Sequence, residues 1–293
     1  MTLVTTQKLL DAAVNARVGV AAFNVITLEH AEAIAAGAQA AAAPAVLQVS
    51  QNAVKFHGGA VRPLAAALQE IARAAAVDLA LHLDHVEDIG LLHQAADSGF
   101  SSVMFDASML VYAANIAATD EAARWAHQRG LILEAELGYI GGKTGSTLSA
   151  HAPGARTDPT EAADYVAQTG VDALAVAVGS MHAMTSRSAV LDHQLIARLR
   201  ETVPVPLVLH GSSGVADEDL AQAVTCGIIK VNIGTILNVA FTNAVRDALG
   251  DTTVVDPRKY VSPGRDAIAD VVQHLIMVVG HPQFIAERNA GLT

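Results

Sequence analysis

The 293-residue chain is 52% hydrophobic but only 4% aromatic, so its core is assembled from Ala, Val, Leu and Ile, the residues that fill barrels and parallel sheets covered by helices. A net charge of −11 without a basic cluster argues against nucleic-acid binding, while a phosphorylated small molecule stays open because backbone N–H groups hold phosphate without lysine. The single cysteine, Cys226, excludes an internal disulfide, and the lack of a long apolar run or a basic leader predicts a cytoplasmic protein with no membrane span.

Short apolar, β-branched runs alternate eight times with Ala-rich segments of helical period. Strand Val20–Asn24 leads to a helix over Leu28–Ala42, Ala45–Val49 to Pro63–Ala75, and Leu79–Asp84 to Ile89–Ser98. Ser101–Asp106 leads to Asn115–Gln128, Ile132–Leu137 to Glu161–Gln168, and Ala173–Val178 to His193–Glu201. Leu207–His210 leads to Glu218–Cys226, and Ile228–Ile233 to Ile236–Leu249. Eight β-then-α units without a break in composition predict an α/β fold, a single (β/α)8 TIM barrel forming one domain over residues 1–293. Two stretches fall outside the rhythm. Gly138–Asp158, rich in Gly, Ser and Thr, is long enough for a functional lid. Asp256–Val279 reads as an extra C-terminal helix entered through Pro263 and Gly264, suited to packing or oligomer contacts.

Active sites of such barrels lie at the C-terminal ends of the strands, and here every strand delivers polar residues or glycine to that rim. The ends carry Asn24, Ser50, Asp84-His85, Asp106, Glu136, Gly179-Ser180-Met181-His182, His210-Gly-Ser-Ser-Gly214 and Asn232-Ile-Gly-Thr235. Histidines at three strand ends, His85, His182 and His210, suit a catalytic zinc with an open coordination position. Asp84 suits either proton exchange with a substrate hydroxyl or the orienting of His85 or another ligand, and Asp106 fits the orienting role better than catalysis. The Gly-Ser-Ser-Gly turn opening a helix near Ala216 offers an anion cradle. The other histidines, His30 among them, read as ordinary helix and loop residues.

Together, His82-Leu-Asp-His85, Glu134-Ala-Glu-Leu-Gly138, the run ending at Gly179 with His182, His210-Gly-Ser-Ser-Gly214 and Lys230-Val-Asn-Ile233 resemble the signature of class II ketose-bisphosphate aldolases, which include the fructose-bisphosphate and tagatose-bisphosphate enzymes. The resemblance runs from Ala22-Phe-Asn24 to Asp256-Pro-Arg-Lys-Tyr260. It implies that His85, His182 and His210 hold zinc, with Glu136 as a buried carboxylate the ion can approach. It further implies that Asp84 takes the proton from the C4 hydroxyl during cleavage. Gly179, Gly211, Ser213, Asn232 and Thr235 would surround the C1 phosphate of dihydroxyacetone phosphate, and Asn24 and Ser50 would line the substrate pocket. It also implies a monovalent cation (Na+ or K+) near the phosphate and a homodimer or homotetramer acting on a sugar phosphate. Lys230 reads as structural.

Four departures from the family pattern lie away from the metal and first phosphate. A carboxylate that usually contacts the sugar is replaced by Gly234, and an arginine for the distal phosphate by Asn238. A lysine-bearing loop after the zinc histidine is replaced by Ala183-Met-Thr-Ser-Arg187, and acidic lid residues by Gly141-Gly-Lys143-Thr-Gly145. The first three thin out the distal-phosphate groups, predicting an aldehyde without the usual 3-phosphate unless Arg187, Arg258 or Arg265 compensates. The fourth leaves the proton donor to the dihydroxyacetone carbon open among Lys143, Tyr139 and water. Alternative readings of the same residues are a metal-dependent barrel hydrolase and a non-catalytic sugar-phosphate sensor.

Overall fold

Alternation along the strands separates two environments. On one strand Leu79, Leu81 and Leu83 join the apolar layer beneath the helices, which turns Ala80, His82 and Asp84 inward. On another, Leu133, Ala135 and Leu137 face the helices, and Glu134 and Glu136 turn inward. A sheet so divided buries both faces by closing on itself beneath a ring of helices. The computed structural model describes residues 2–137, 156–180 and 187–280 and shows this closure. Strands β1 (Val20–Asn24), β2 (Ala45–Ser50), β3 (Leu79–Val86), β4 (Ser102–Phe105), β5 (Ile132–Leu137), β6 (Ala173–Val176), β7 (Leu207–Leu209) and β8 (Ile228–Ile233) pair in parallel in sequence order, with β8 returning to β1.

The described helices are α1 (Thr6–Ala16), α2 (Leu28–Ala40), α3 (Gln51–Phe56), α4 (Val61–Ala74), α5 (Ile89–Leu92), α6 (Tyr112–His127), α7 (Pro159–Thr169), α8 (His193–Thr202), α9 (Asp217–Cys226), α10 (Thr235–Ala248) and α11 (Pro257–Gly280). None is long and apolar enough to cross a membrane. The β/α alternation does not foretell α1, which plugs the barrel floor: Leu9, Leu10 and Ala13 pack on Val20, Ala22, Val46 and Ala80.

The helix expected over Ile89–Ser98 is interrupted, with α5 stopping at Leu92 and a 3₁₀ turn following at Ala96–Ser98. Leu92, Ala95 and Ser98 are buried at intervals of three, the 3₁₀ period, and Gln94 and Ala95 donate to the carbonyls three residues back. Nor is α11 entered at Pro263. It starts at Pro257, with Asp256 Oδ1 accepting from Arg258 N–H at 3.0 Å, and runs through Pro263. The proline falls in the second turn, where Gly264 lies against Phe241 of α10.

Candidate active site

Strand alternation alone would aim Asp84 and His85 at opposite faces of β3. A β-bulge intervenes: the β3–β4 register shifts between Leu83 and Val86, and His85 takes φ 47°. Both side chains therefore reach the inner rim, where His85 meets His210 edge-on with ring centroids 4.8 Å apart. Donor atoms of Asp84, His85 and His210 all lie within 4.8 Å of one another.

Buried partners orient this cluster. His85 Nδ1 lies 2.9 Å from Asp106 Oδ2, which leaves Nε2 as the nitrogen for a metal ion. Asp106 is itself fixed, its Oδ1 accepting from Ser108 Oγ at 2.6 Å. His210 Nε2 lies 3.2 Å from Glu134 Oε1, assigning metal ligation to Nδ1. Lys230 Nζ, fully buried, donates to Glu134 Oε2 at 2.8 Å. Burial opposes ionisation of Glu134, but Lys230 and the histidines outweigh it and lower its pKa to about 2. Burial also opposes a charged His210, yet the hydrogen bonds to Glu134 and Glu136 raise it to about 9. A metal ion bound at this ring therefore displaces a proton. Asp84 is held well below the ordinary carboxylate range: burial acts against this, and His85 and His82 overcome it.

The donor set fits a divalent metal ion: two imidazoles and a carboxylate converge, and Asp84 Oδ1 is buried without a hydrogen-bond partner among the described residues. Because Asp106 aims His85, Asp106→Ala is expected to weaken metal binding about 10–100-fold. Competition with a chromophoric chelator measures this, and unchanged affinity would show that Asp106 does not orient the ligand.

A cavity of about 390 Å³ opens beside the cluster. Asn24, Ser50, Asp84, His85, Gly211, Ser213, Asn232 and Thr235 all line it. Asn232, with both amide atoms buried and unpartnered among the described residues, and Gln48 Oε1 in the same condition, present further groups awaiting a ligand. Ser50 has a second task, accepting from Ala53 N–H at 3.2 Å as the N-cap of α3. Glu136 is fully buried behind the rim, its Oε2 3.5 Å from His210 Nδ1, and is not part of the lining. Gly179 is likewise off the lining; at φ 125° an added Cβ would come within 2.3 Å of the Val190 carbonyl oxygen. His182, Tyr139, Lys143 and the altered stretches Gly141–Gly145 and Ala183–Ser186 lie outside the described residues.

Ser212–Gly214 forms a 3₁₀ turn, and α9 begins at Asp217 with Ala216 as its N-cap, Asp217, Glu218 and Asp219 occupying its first turn. Those carboxylates complement the helix terminus themselves. The terminus that faces the cavity belongs to α10, which has no side-chain cap and no acidic residue in its first turn. Ser213 Oγ accepts from Ile236 N–H at 3.2 Å, and Ser212 Oγ donates to the Asn232 carbonyl at 2.5 Å, tying the loops after β7 and β8 into one cradle.

Several site residues escaped the sequence reading. Gln48 donates to Asn24 and, at 3.4 Å, to Asp84 Oδ2. Its signal was the two-residue spacing from Ser50 on one strand face. Asn52 and Phe56 reach the cavity from α3, a short helix with no periodic signature.

The family model for fructose-bisphosphate aldolase class-II matches residues 4–283. The chain belongs to the class II aldolase family. A fructose-bisphosphate aldolase of Geobacillus stearothermophilus is 37% identical over 275 residues, covering 93% of this chain and 95% of the relative. One from Staphylococcus aureus is 34% identical over 284 residues, covering 96% and 98%. Among solved structures, the YdjI aldolase of Escherichia coli K12 superposes with a TM-score of 0.82 at 31% identity, covering 95% and 97% of the two chains. The protein is thus an aldolase, a carbon–carbon lyase of a metal-dependent family that acts on sugar phosphates, and Asp84, His85 and His210 form a possible metal site.

Proposed function

We propose that this class II aldolase uses zinc and reversibly cleaves a ketose 1-phosphate into dihydroxyacetone phosphate and an aldehyde that lacks a terminal phosphate. The observation that carries the reading is the charge of the cavity. Its described lining residues include Gly211–Ser213 and Gly234–Thr235, whose backbone N–H groups suit one phosphate, and Asn238, with no Lys or Arg among them. Charge-assisted contacts supply much of a phosphate site's affinity, so a second phosphate would find little to hold it. The arginines with a claim to compensate are engaged: Arg187 with Asp217, Arg258 with Asp256, and Arg265 with Glu32 and Asp266.

His85 and His210 in the described structure, joined by His182, would hold the zinc ion, with Glu136 behind them. When bound, the metal supplies Lewis-acid stabilisation of negative charge on the oxygens of the dihydroxyacetone half. The backbone N–H groups of the cradle hold the C1 phosphate and set the C3–C4 bond against Asp84. The Asp84 carboxylate accepts the C4 hydroxyl proton as the C3–C4 bond breaks, the new carbonyl forms on the departing aldehyde, and the electron pair passes to the dihydroxyacetone carbon. Gln48 steadies both Asp84 and Asn24 during this transfer. The whole chain acts as one domain on this reading. The reading includes a cytoplasmic homodimer or homotetramer, for which the exposed apolar run Met109–Val111 offers a subunit contact.

Cleavage rates on fructose 1-phosphate and fructose 1,6-bisphosphate test the aldehyde assignment. The expected result is a kcat/KM on the monophosphate at least equal to that on the bisphosphate. A strong preference for the bisphosphate would refute it.

A further inference from the structure

Strand β3 runs on after its neighbour β2 has stopped. The β2–β3 ladder closes at Ser50 opposite Asp84, because Ser50 caps α3 and Gln51 is already the first residue of that helix. Beyond this pair β3 continues beside β4, where Val86 pairs with Phe105 and its carbonyl accepts from Asp106 N–H at 2.8 Å. His85 therefore takes its left-handed φ of 47° where the ladder on the β2 side has ended. A residue other than glycine keeps that conformation only where its surroundings over-determine it.

A side chain stands in for the missing strand. Gln51 Oε1 accepts from Glu87 N–H and from Asp88 N–H, both at 3.0 Å, and the two lone pairs of one amide carbonyl suffice for both donors. Gln51 is 7% exposed and is not among the residues lining the cavity, although its neighbours Ser50 and Asn52 are. Asp88 is anchored again as the N-cap of α5, its Oδ1 accepting from Gly90 N–H at 2.7 Å. The backbone around His85 is thus pinned on both sides, by the Ser50–Asp84 pair before it and by the Gln51 clamp after it.

We propose that Gln51 is a positioning residue for the metal site, holding the exit of β3 so that His85 keeps the left-handed conformation that turns its imidazole to the inner rim. Without the clamp His85 relaxes toward ordinary strand dihedrals, and alternation then carries its ring to the helix-facing side, away from His210. The bond to Asp106 sets which nitrogen meets the metal, and the Gln51 clamp sets which way the whole residue faces. The proposal rests on the reading above, in which His85 is a zinc ligand.

The test compares wild type, Gln51→Leu, Gln51→Glu and His85→Ala by three measurements: zinc affinity from chelator competition, the visible spectrum of the cobalt(II)-substituted protein, and melting of the metal-free protein. Gln51→Leu fills the space without accepting a hydrogen bond. It is expected to weaken zinc binding about 10–100-fold and to alter the cobalt spectrum, which reports ligand geometry. Gln51→Glu, which keeps an acceptor at the same place, should return both to near the wild-type values. A role in stability alone would lower the melting temperature of Gln51→Leu and leave zinc affinity and the cobalt spectrum as in wild type, and that outcome would overturn the proposal. An equal loss in Gln51→Leu and Gln51→Glu would overturn it as well. Wild-type zinc affinity in His85→Ala would instead overturn the ligand reading beneath, so the two failures are distinguishable.

Discussion

Replacing Asp84 by asparagine is expected to lower kcat by roughly 10²–10⁴-fold while KM moves by no more than a few-fold, the effect of losing a general base. The substitution conserves shape, so the cavity wall and the contact with Gln48 remain. The chemistry does not remain, because the wild-type carboxylate is ionised at neutral pH, kept so by His85 and His82 despite burial, and an amide takes no proton from a hydroxyl. Bound metal should stay stoichiometric, since His85 and His210 are untouched. A second readout isolates the role. Asp84 serves only the C4 hydroxyl on this account, so exchange of a dihydroxyacetone phosphate C–H with solvent should persist in the variant. Cleavage within about tenfold of wild type would remove Asp84 from the proton-transfer role.

The second large effect is expected at Lys230, beneath the site. Lys230→Met leaves Glu134 buried at 2% exposure without its cation, and breaking such a pair costs roughly 3–5 kcal/mol. In the metal-free protein at pH 7 the melting temperature should fall by about 6–15 °C. The double variant Lys230→Met/Glu134→Gln should recover most of it, because no charge is then stranded. The pH dependence has a definite sign. In the wild type Glu134 titrates at about 2 against an ordinary 4.5, so its stabilisation is present above pH 4.5 and fades as pH falls toward 2. Without Lys230 burial acts with less opposition, and the variant is relieved by protonating Glu134. The gap in melting temperature should therefore narrow as pH is lowered from 7 toward 4. A gap that widens, or a double variant no better than the single, would show that Lys230 is not the counter-charge of Glu134.

Much of the architecture was legible in the chain because the barrel repeats one local rule eight times. Polar residues two apart, as in Gln48 and Ser50, His82 and Asp84, or Glu134 and Glu136, mark the strand faces turned into a closed sheet. The joining of Asp84 and His85 was not legible in that way. Alternation separates neighbours, and only the bulge with its left-handed residue brings them together. The barrel-floor helix α1 and the short helix α3 are capped by Thr5 and Ser50, single residues that sequence patterning passes over. Ser50 was accordingly read only as a substrate contact, though it also starts a helix. Acidic residues fill the first turn of α9 and are absent from that of α10, a contrast between the two helix starts that strand-end patterning does not weigh.

On the proposed mechanism His85 and His210, beside the base Asp84, hold a catalytic metal ion for aldol cleavage. The most direct test is a coupled assay for dihydroxyacetone phosphate released from a ketose 1-phosphate, run on native, EDTA-treated and zinc-restored protein. Product formation is expected to disappear with EDTA and to return with one equivalent of zinc. Full activity in metal-free protein, or no product with stoichiometric zinc bound, would contradict it.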